Sequence, residues 1–330
     1  MKLDEIGFYT LTDERAMHAS AVSPLWRGEI IVTGRCNFNC IYCHRLPPRD
    51  IEQDLALDVI GQWLAEGLRN IRFSGGEPTL YQPLSLLVRA CRAGGVEHIG
   101  ISSNGSAPLR LYKQLIGEGV NDIAISLDAS QPALAKDIAR ANAHWQTVIE
   151  NIRALAKLTY VTASIVLSGK NADQAEAIIS LAHALGVADI RFVTASHDAP
   201  ADLTLSRIPP HLLAAHPILK YRLDKLRHGR TIRGLQPGDA HRCYLALDDC
   251  VVAGKWHYPC AVYFREGGAP IGELRAATRQ ERLRWLRAKD THADEICRHY
   301  CADFYVEYNN RFEEFLQRRK DRPAYIPVVE

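Results

Sequence analysis

From residue 29 onward the chain alternates between two hydrophobic periods. Short β-branched runs occur at Glu29–Thr33, Asn70–Phe73, His98–Ser102, Asp122–Leu127, Tyr160–Leu167 and Asp189–Val193. Bounded by Gly, Asn and Ser, these runs read as strands. Between them lie stretches at about 55–67, 83–93, 108–118, 142–158 and 172–185 whose apolar residues recur every three or four positions, the helical spacing. Regular alternation of this kind means parallel strands joined by right-handed crossovers. Six such units predict an α/β fold, an open, partial (β/α)6 TIM-like barrel whose ligand sites lie at the carboxyl ends of the strands.

Past residue 196 the alternation stops. His197–Pro217 is rich in Pro, His and Ala, with Pro200, Pro209, Pro210 and Pro217 as breakers. The expected organisation is a lead-in over residues 1–28, a barrel over 29–196, a linker with a basic helix at 218–233 over 197–239, and a smaller cysteine-containing extension over 240–330. In the extension, Val251-Val252 and Trp256–Tyr258 flank a Gly-Lys turn as a hairpin would, and helices are expected near 273–289 and 303–320.

Composition sharpens this only at the edges. The 330 residues are 47% hydrophobic and 24% charged, ordinary for a globular chain of one large domain or a domain plus a smaller one. No apolar run reaches 18 residues, so no transmembrane helix is expected. The N-terminus has no basic segment followed by an apolar one, so no secretory signal is read and a cytoplasmic location is expected. Residues 1–200 carry 18 basic and 21 acidic groups, residues 201–330 carry 22 and 17. The basic excess reads as solvated helix faces or as a mild attraction for an anionic substrate; it is too small to establish nucleic-acid binding.

The nine cysteines carry the chemistry, and in a chain without a secretory signal they suggest metal or redox work rather than disulfides. Cys36, Cys40 and Cys43 fall within Gly34-Arg-Cys-Asn-Phe-Asn-Cys-Ile-Tyr-Cys43. Three thiolates so placed can hold three irons of a [4Fe–4S] cluster and leave the fourth open to a small molecule. The bland alternatives are a zinc knuckle or chance clustering; zinc wants a fourth ligand, and adjacent His44 is poorly placed to supply it. Phe73-Ser-Gly-Gly-Glu-Pro78 follows a β-prone run, and its glycines let the backbone approach a ligand closely. Cys91 sits in a helical stretch and reads as a small buried hydrophobe.

With the triplet and the Gly-Gly-Glu-Pro segment in this order, residues 28–196 resemble the radical S-adenosylmethionine (SAM) superfamily. The resemblance implies the same partial barrel. It also implies a cluster whose open iron binds the amino and carboxylate groups of S-adenosylmethionine, and one-electron cleavage to a 5′-deoxyadenosyl radical that abstracts hydrogen. A reductant such as flavodoxin or ferredoxin would supply the electron. Carried over by position, Tyr42 packs near the adenine, and Gly75, Gly76 and Glu77 receive the methionyl ammonium. Ser102 and Asn104 meet the ribose or carboxylate, Ser126 and Asp128 the ribose hydroxyls, and Arg140 the carboxylate. Singly these have plainer readings: Asn104-Gly105 as a turn, Ser126 as a helix cap, Tyr42 as packing.

The late cysteines resemble the twitch and SPASM extensions of such enzymes. Cys243, Cys260, Cys297 and Cys301 are the expected ligands of one auxiliary [4Fe–4S] cluster, with Cys250 as a rival ligand. The full SPASM pattern uses about seven cysteines, and five are present after residue 240. Structural zinc or buried thiols are the alternatives. A fully ligated auxiliary cluster would transfer electrons and favour net oxidation. Asp249 is the expected acid/base group, among other polar neighbours of these cysteines. The expectation is thus a radical SAM enzyme oxidising a small polar metabolite or peptide. Its rivals are rearrangement of a nucleoside or nucleic acid and a non-catalytic iron–sulfur sensor or electron carrier.

Overall fold

The computed structural model describes residues 15–140, 144–200, 203, 205, 208–275 and 278–320, with side chains to residue 318. After a short helix α1 (Arg15–His18), six strands follow: β1 (Arg27–Thr33), β2 (Asn70–Gly75), β3 (His98–Ser103), β4 (Asp122–Ser126), β5 (Tyr160–Leu167) and β6 (Asp189–Thr194). They pair in parallel, each with its sequence neighbour. Helices α2 (Gln53–Ala65), α3 (Leu84–Ala93), α4 (Leu109–Glu118), α5 (Pro132–Ala139) with α6 (Trp145–Leu155), and α7 (Ala175–Ala184) make the crossovers. This is the partial barrel that the alternation predicts. The helix expected at 142–158 is α6, and a further short helix, α5, precedes it in the same crossover. Pro132 opens α5, where its missing N–H costs nothing, and Arg140 caps it in the left-handed region at φ 46°.

The sheet also extends past β1. Strand β7 (Asp249–Ala253) pairs with β1 in parallel, and β8 (Trp256–Tyr258) and β9 (Gly272–Glu273) continue it antiparallel, giving the order β6-β5-β4-β3-β2-β1-β7-β8-β9. The predicted hairpin is therefore present, but its first strand belongs to the barrel sheet. Helices α8 (Pro210–Ala215) and α9 (Pro217–Arg227) occupy the linker, and α10 (Ala261–Arg265), α11 (Thr278–Ala288), α12 (Glu295–Tyr300) and α13 (Asp303–Lys320) build the extension.

Strand periodicity sorts the side chains by face. Ile30, Val32, Ile71, Phe73, Ile99, Ile101, Ile123 and Ile125 join one apolar core with the barrel helices. The alternate positions are polar and bond one another inside the sheet: Arg72 to Asp122 and Ser102, Ser74 to Glu29, Arg191 to Ser164, Arg27 to Asp249. A second core joins Tyr244, Leu245, Leu247, Leu286, Tyr308 and Phe312 of the extension to Ala16 and Ala19 of the lead-in. Arg15 fixes that junction, 3.3 Å from Asp248 and 4.5 Å over the Tyr308 ring. Cys91 is fully buried on α3, as expected. Among the described residues no helix is long and apolar enough to cross a membrane.

Candidate active site

A cavity of about 420 Å³ opens at the carboxyl ends of the parallel strands. The loop after β1 carries Cys36, Cys40 and Cys43 into it. Backbone hydrogen bonds hold this loop from two sides: Asn39 and Ile41 donate to Ala139 and Ile138 of α5 at 2.8 and 3.0 Å, and Gly76 and Glu77 donate to Thr33 and Arg35, both at 2.8 Å. Arg35 ties the loop to Asp50 at 2.6 Å. The two glycines are required by this closeness. A Cβ at Gly75 would stand 2.1 Å from the Thr33 carbonyl oxygen, and one at Gly76 2.2 Å from that of Arg35. Gly75 also has φ +143°, which a side chain would strain.

Glu77 has a different role from the one expected. Its carboxylate is fully buried and does not line the cavity. Oε1 accepts from Thr79 N at 3.1 Å, Thr79 Oγ1 at 2.6 Å and Ser103 Oγ at 2.9 Å, and Oε2 accepts from Asn104 N at 2.7 Å. Burial pushes its carboxyl up, against those bonds. With its acceptor sites so engaged, Glu77 fastens the end of β2 to the end of β3.

Asn104 faces the cysteine loop. Its Nδ2 donates to Asn37 Oδ1 at 2.8 Å and lies 3.9 Å from Cys36 Sγ. The Tyr42 hydroxyl donates to Asp128, joining the loop to the end of β4, and Val166 N donates to Asp128 Oδ1 at 2.6 Å. Burial pushes the Asp128 carboxyl up to about 6. Tyr42, Gly75, Gly76, Ser102, Asn104, Ser126 and Asp128 all line the one cavity. Arg140 does not: it is exposed at the end of α5.

Cys243, Cys260, Cys297 and Cys301 converge from the turn before β7, the start of α10 and the two ends of α12. The four thiols are close enough that ionising one opposes the others. Burial pushes Cys243 up to about 12 and the other three higher. Such a set ionises when a metal takes the proton's place. A tetrahedral zinc site with Zn–S near 2.3 Å needs sulfurs about 3.8 Å apart. Among the described residues the trio of donors gathered within 4.8 Å lies elsewhere, so no three of these thiols, nor Cys36, Cys40 and Cys43, are that close.

Cys250 is not among them. On β7 it faces the barrel core with Val252, fully buried, and its surroundings are Arg282, Asp249 and Glu66. The two-residue strand period turns it away from the cysteine side, which rules out the rival ligand. Asp249 faces inward but does not reach the cavity: its Oδ2 accepts from Arg27 Nε at 2.6 Å, with both side chains about 5% exposed or less. Held in this buried ion pair, Asp249 does not itself face the cavity, so its position does not supply the direct acid/base contact expected of it.

Inside the barrel the cavity is lined by Glu29, Arg72, Arg191, Arg233, Arg265 and Tyr305; Tyr305 is one of the polar neighbours of the late cysteines expected near a pocket, and the other five were not singled out as cavity residues from sequence. The signal available for Glu29, Arg72 and Arg191 was a charged residue at the inward phase of an otherwise apolar strand. Arg233 and Arg265 arrive from the extension and its linker, where no periodic pattern points.

Residues 30–182 match the family model described as Radical SAM superfamily. GTP 3′,8-cyclase of Rhodopseudomonas palustris is 31% identical over 173 residues, 48% of this chain and 49% of that protein. GTP 3′,8-cyclase 1 of Pseudomonas aeruginosa is 33% identical over 175 residues, 49% and 52% of the two chains. The chain thus spans about half the length of the curated relatives it matches. Native anSMEcpe with bound AdoMet shares the fold at TM-score 0.57 and 14% identity, over 90% of this chain and 98% of that one, so the shared fold reaches into the extension. Streptococcus suis SuiB bound to S-adenosylmethionine aligns at TM-score 0.54 and 13% identity, over 76% and 63%.

Proposed function

We propose that this chain is a radical SAM enzyme with two [4Fe–4S] clusters, acting on a small, polar, anionic substrate. The observation that carries the reading is one cavity bordered by three loop thiols on one side and by inward-facing arginines on the other. Cys36, Cys40 and Cys43 would hold the first cluster, and Cys243, Cys260, Cys297 and Cys301 the auxiliary one. When bound, the first cluster supplies the electron that cleaves S-adenosylmethionine to a hydrogen-abstracting radical.

This chain's residues position and exclude water. The backbone at Gly75 and Gly76, with Ser102, Asn104, Ser126 and Asp128, would bind the cofactor's polar groups. Trp145 and Val148 add apolar wall at that end of the cavity. Arg233 donates to the Thr194 and Tyr300 carbonyl oxygens at 2.8 and 3.4 Å, which aims a cation at the interior, and Arg265 is held by the Gly75 carbonyl at 3.3 Å. A carboxylate or phosphate on the substrate suits these guanidinium groups. Four thiols on the auxiliary site leave no ligand position open, which favours electron transfer and net oxidation of the substrate.

A second reading, nucleotide rearrangement, is favoured by the relatives named GTP 3′,8-cyclase, whose similarity falls on about half of this chain. Anaerobic incubation of reconstituted protein with dithionite and S-adenosylmethionine tests the common core: 5′-deoxyadenosine should form, and should vanish in the Cys36/Cys40/Cys43→Ala variant. Adding GTP separates the readings, since only the second expects GTP to be consumed. No 5′-deoxyadenosine from fully reconstituted wild type would revive the iron–sulfur carrier.

A further inference from the structure

Two imidazoles converge on one carboxylate at the edge of the cavity. His44 follows Cys43, His197 lies just past β6, and Glu266 ends α10. His44 Nε2 is 3.2 Å from Glu266 Oε2, and His197 Nε2 is 3.7 Å from the same oxygen. The three donor atoms all lie within 4.8 Å of one another. Ligands held at 2.0–2.2 Å by a tetrahedral ion stand about 3.3–3.6 Å apart, so the measured separations bracket that spacing. The Glu266 side chain is only 5% exposed, whereas those of His44 and His197 are 33% and 59% exposed.

We propose that His44 Nε2, His197 Nε2 and Glu266 Oε2 form a binding site for a divalent transition-metal ion of the zinc class, separate from both thiol sets. Two imidazoles and one carboxylate leave at least one coordination position free, the composition of an open rather than a closed site. A simple ion pair accounts for less of the arrangement. One protonated imidazole would satisfy Glu266, yet a second ring is packed against the first, their centroids 4.4 Å apart and edge to face. His44 Nε2 also lies 3.3 Å from Ser196 Oγ, on the cavity side of the same carboxylate. An ion placed between the donors serves all of them.

His44, Ser196 and Glu266 line the cavity, so the open position faces the space where substrate is expected. There the ion would anchor a carboxylate, phosphate or amine of the substrate. The charge of Arg233, which senses Glu266, opposes a dication and weakens its binding. The site rests on its own donors, and its test stands whether or not the cavity cleaves S-adenosylmethionine.

The test is equilibrium dialysis of the anaerobically reconstituted full chain against micromolar ZnCl2, with iron and sulfide counted on the same samples so that zinc in vacant cysteine sites is recognised. Wild type with full iron should bind one zinc ion per chain. His197→Ala removes an exposed ligand with little packing cost, and should weaken that binding about tenfold or more at unchanged iron; Glu266→Gln should do the same. Absence of zinc from fully reconstituted wild type, or zinc binding by His197→Ala equal to wild type, would overturn the proposal.

Discussion

Replacing Asp249 by alanine separates a structural role from a chemical one. Burial alone would depress the Arg27 charge, and the Asp249 carboxylate outweighs that effect, so the guanidinium stays protonated well inside the fold. Removing one partner of such a pair leaves the other charge uncompensated, at a cost of about 3–5 kcal/mol. Unfolding entropy of about 2.1 cal/mol/K per residue over 330 residues comes to roughly 0.7 kcal/mol/K, so the expected fall in melting temperature is roughly 4–7 °C. Differential scanning fluorimetry on wild type and Asp249→Ala at matched iron content reads it, the matching being needed because cofactor loss breaks two-state unfolding. The double change Arg27→Met with Asp249→Leu should recover most of the loss, since well-packed apolar residues can replace a buried pair. A melting temperature within about 1 °C of wild type, together with abolished 5′-deoxyadenosine formation, would refute the argument and return Asp249 to the chemistry.

Three further outcomes follow from the geometry. Gly76→Ala forces a methyl against the Arg35 carbonyl oxygen and breaks two backbone bonds to the cysteine loop; about 2–4 kcal/mol of stability should be lost, with iron lost from the first site and retained at the second. Cys250→Ala should leave the iron count unchanged while Cys301→Ala lowers it, as iron assay after reconstitution would read. Burial pushes Asp189 up to about 7 from 3.8, so its stabilising contribution is complete below pH 3.8 and lost as pH rises toward 7. Wild type should therefore melt progressively lower across that window than Asp189→Asn does, in a pH series of thermal melts; neighbouring His216, whose pKa burial lowers, has the opposite sign and is common to both proteins.

The barrel was legible because its strands and helices differ in period, and the proposed first cluster site was suggested by three thiols within eight residues of one loop. Other features depend on distance in space. Asp249 sits beside the late cysteines in sequence, but its partner Arg27 is 222 residues away, on the strand that β7 joins. Cys250 has plausible ligand spacing, yet the parallel register with β1 fixes which face of β7 it occupies. Glu77 stands in a motif that suggests a ligand contact, and only the placement of Ser103 and Asn104 reveals that its oxygens are already engaged. The arginines of the cavity come from β2, β6, the linker and α10, and no local pattern joins them.

Iron and acid-labile sulfide counts on anaerobically reconstituted wild type and on the Cys36/Cys40/Cys43→Ala variant test the central claim most directly. Two four-iron sites predict about eight irons per chain in wild type and about four in the variant. Equal counts in the two proteins would contradict the assignment of the loop thiols, and about four in wild type with almost none in the variant would remove the auxiliary cluster and with it the case for oxidation.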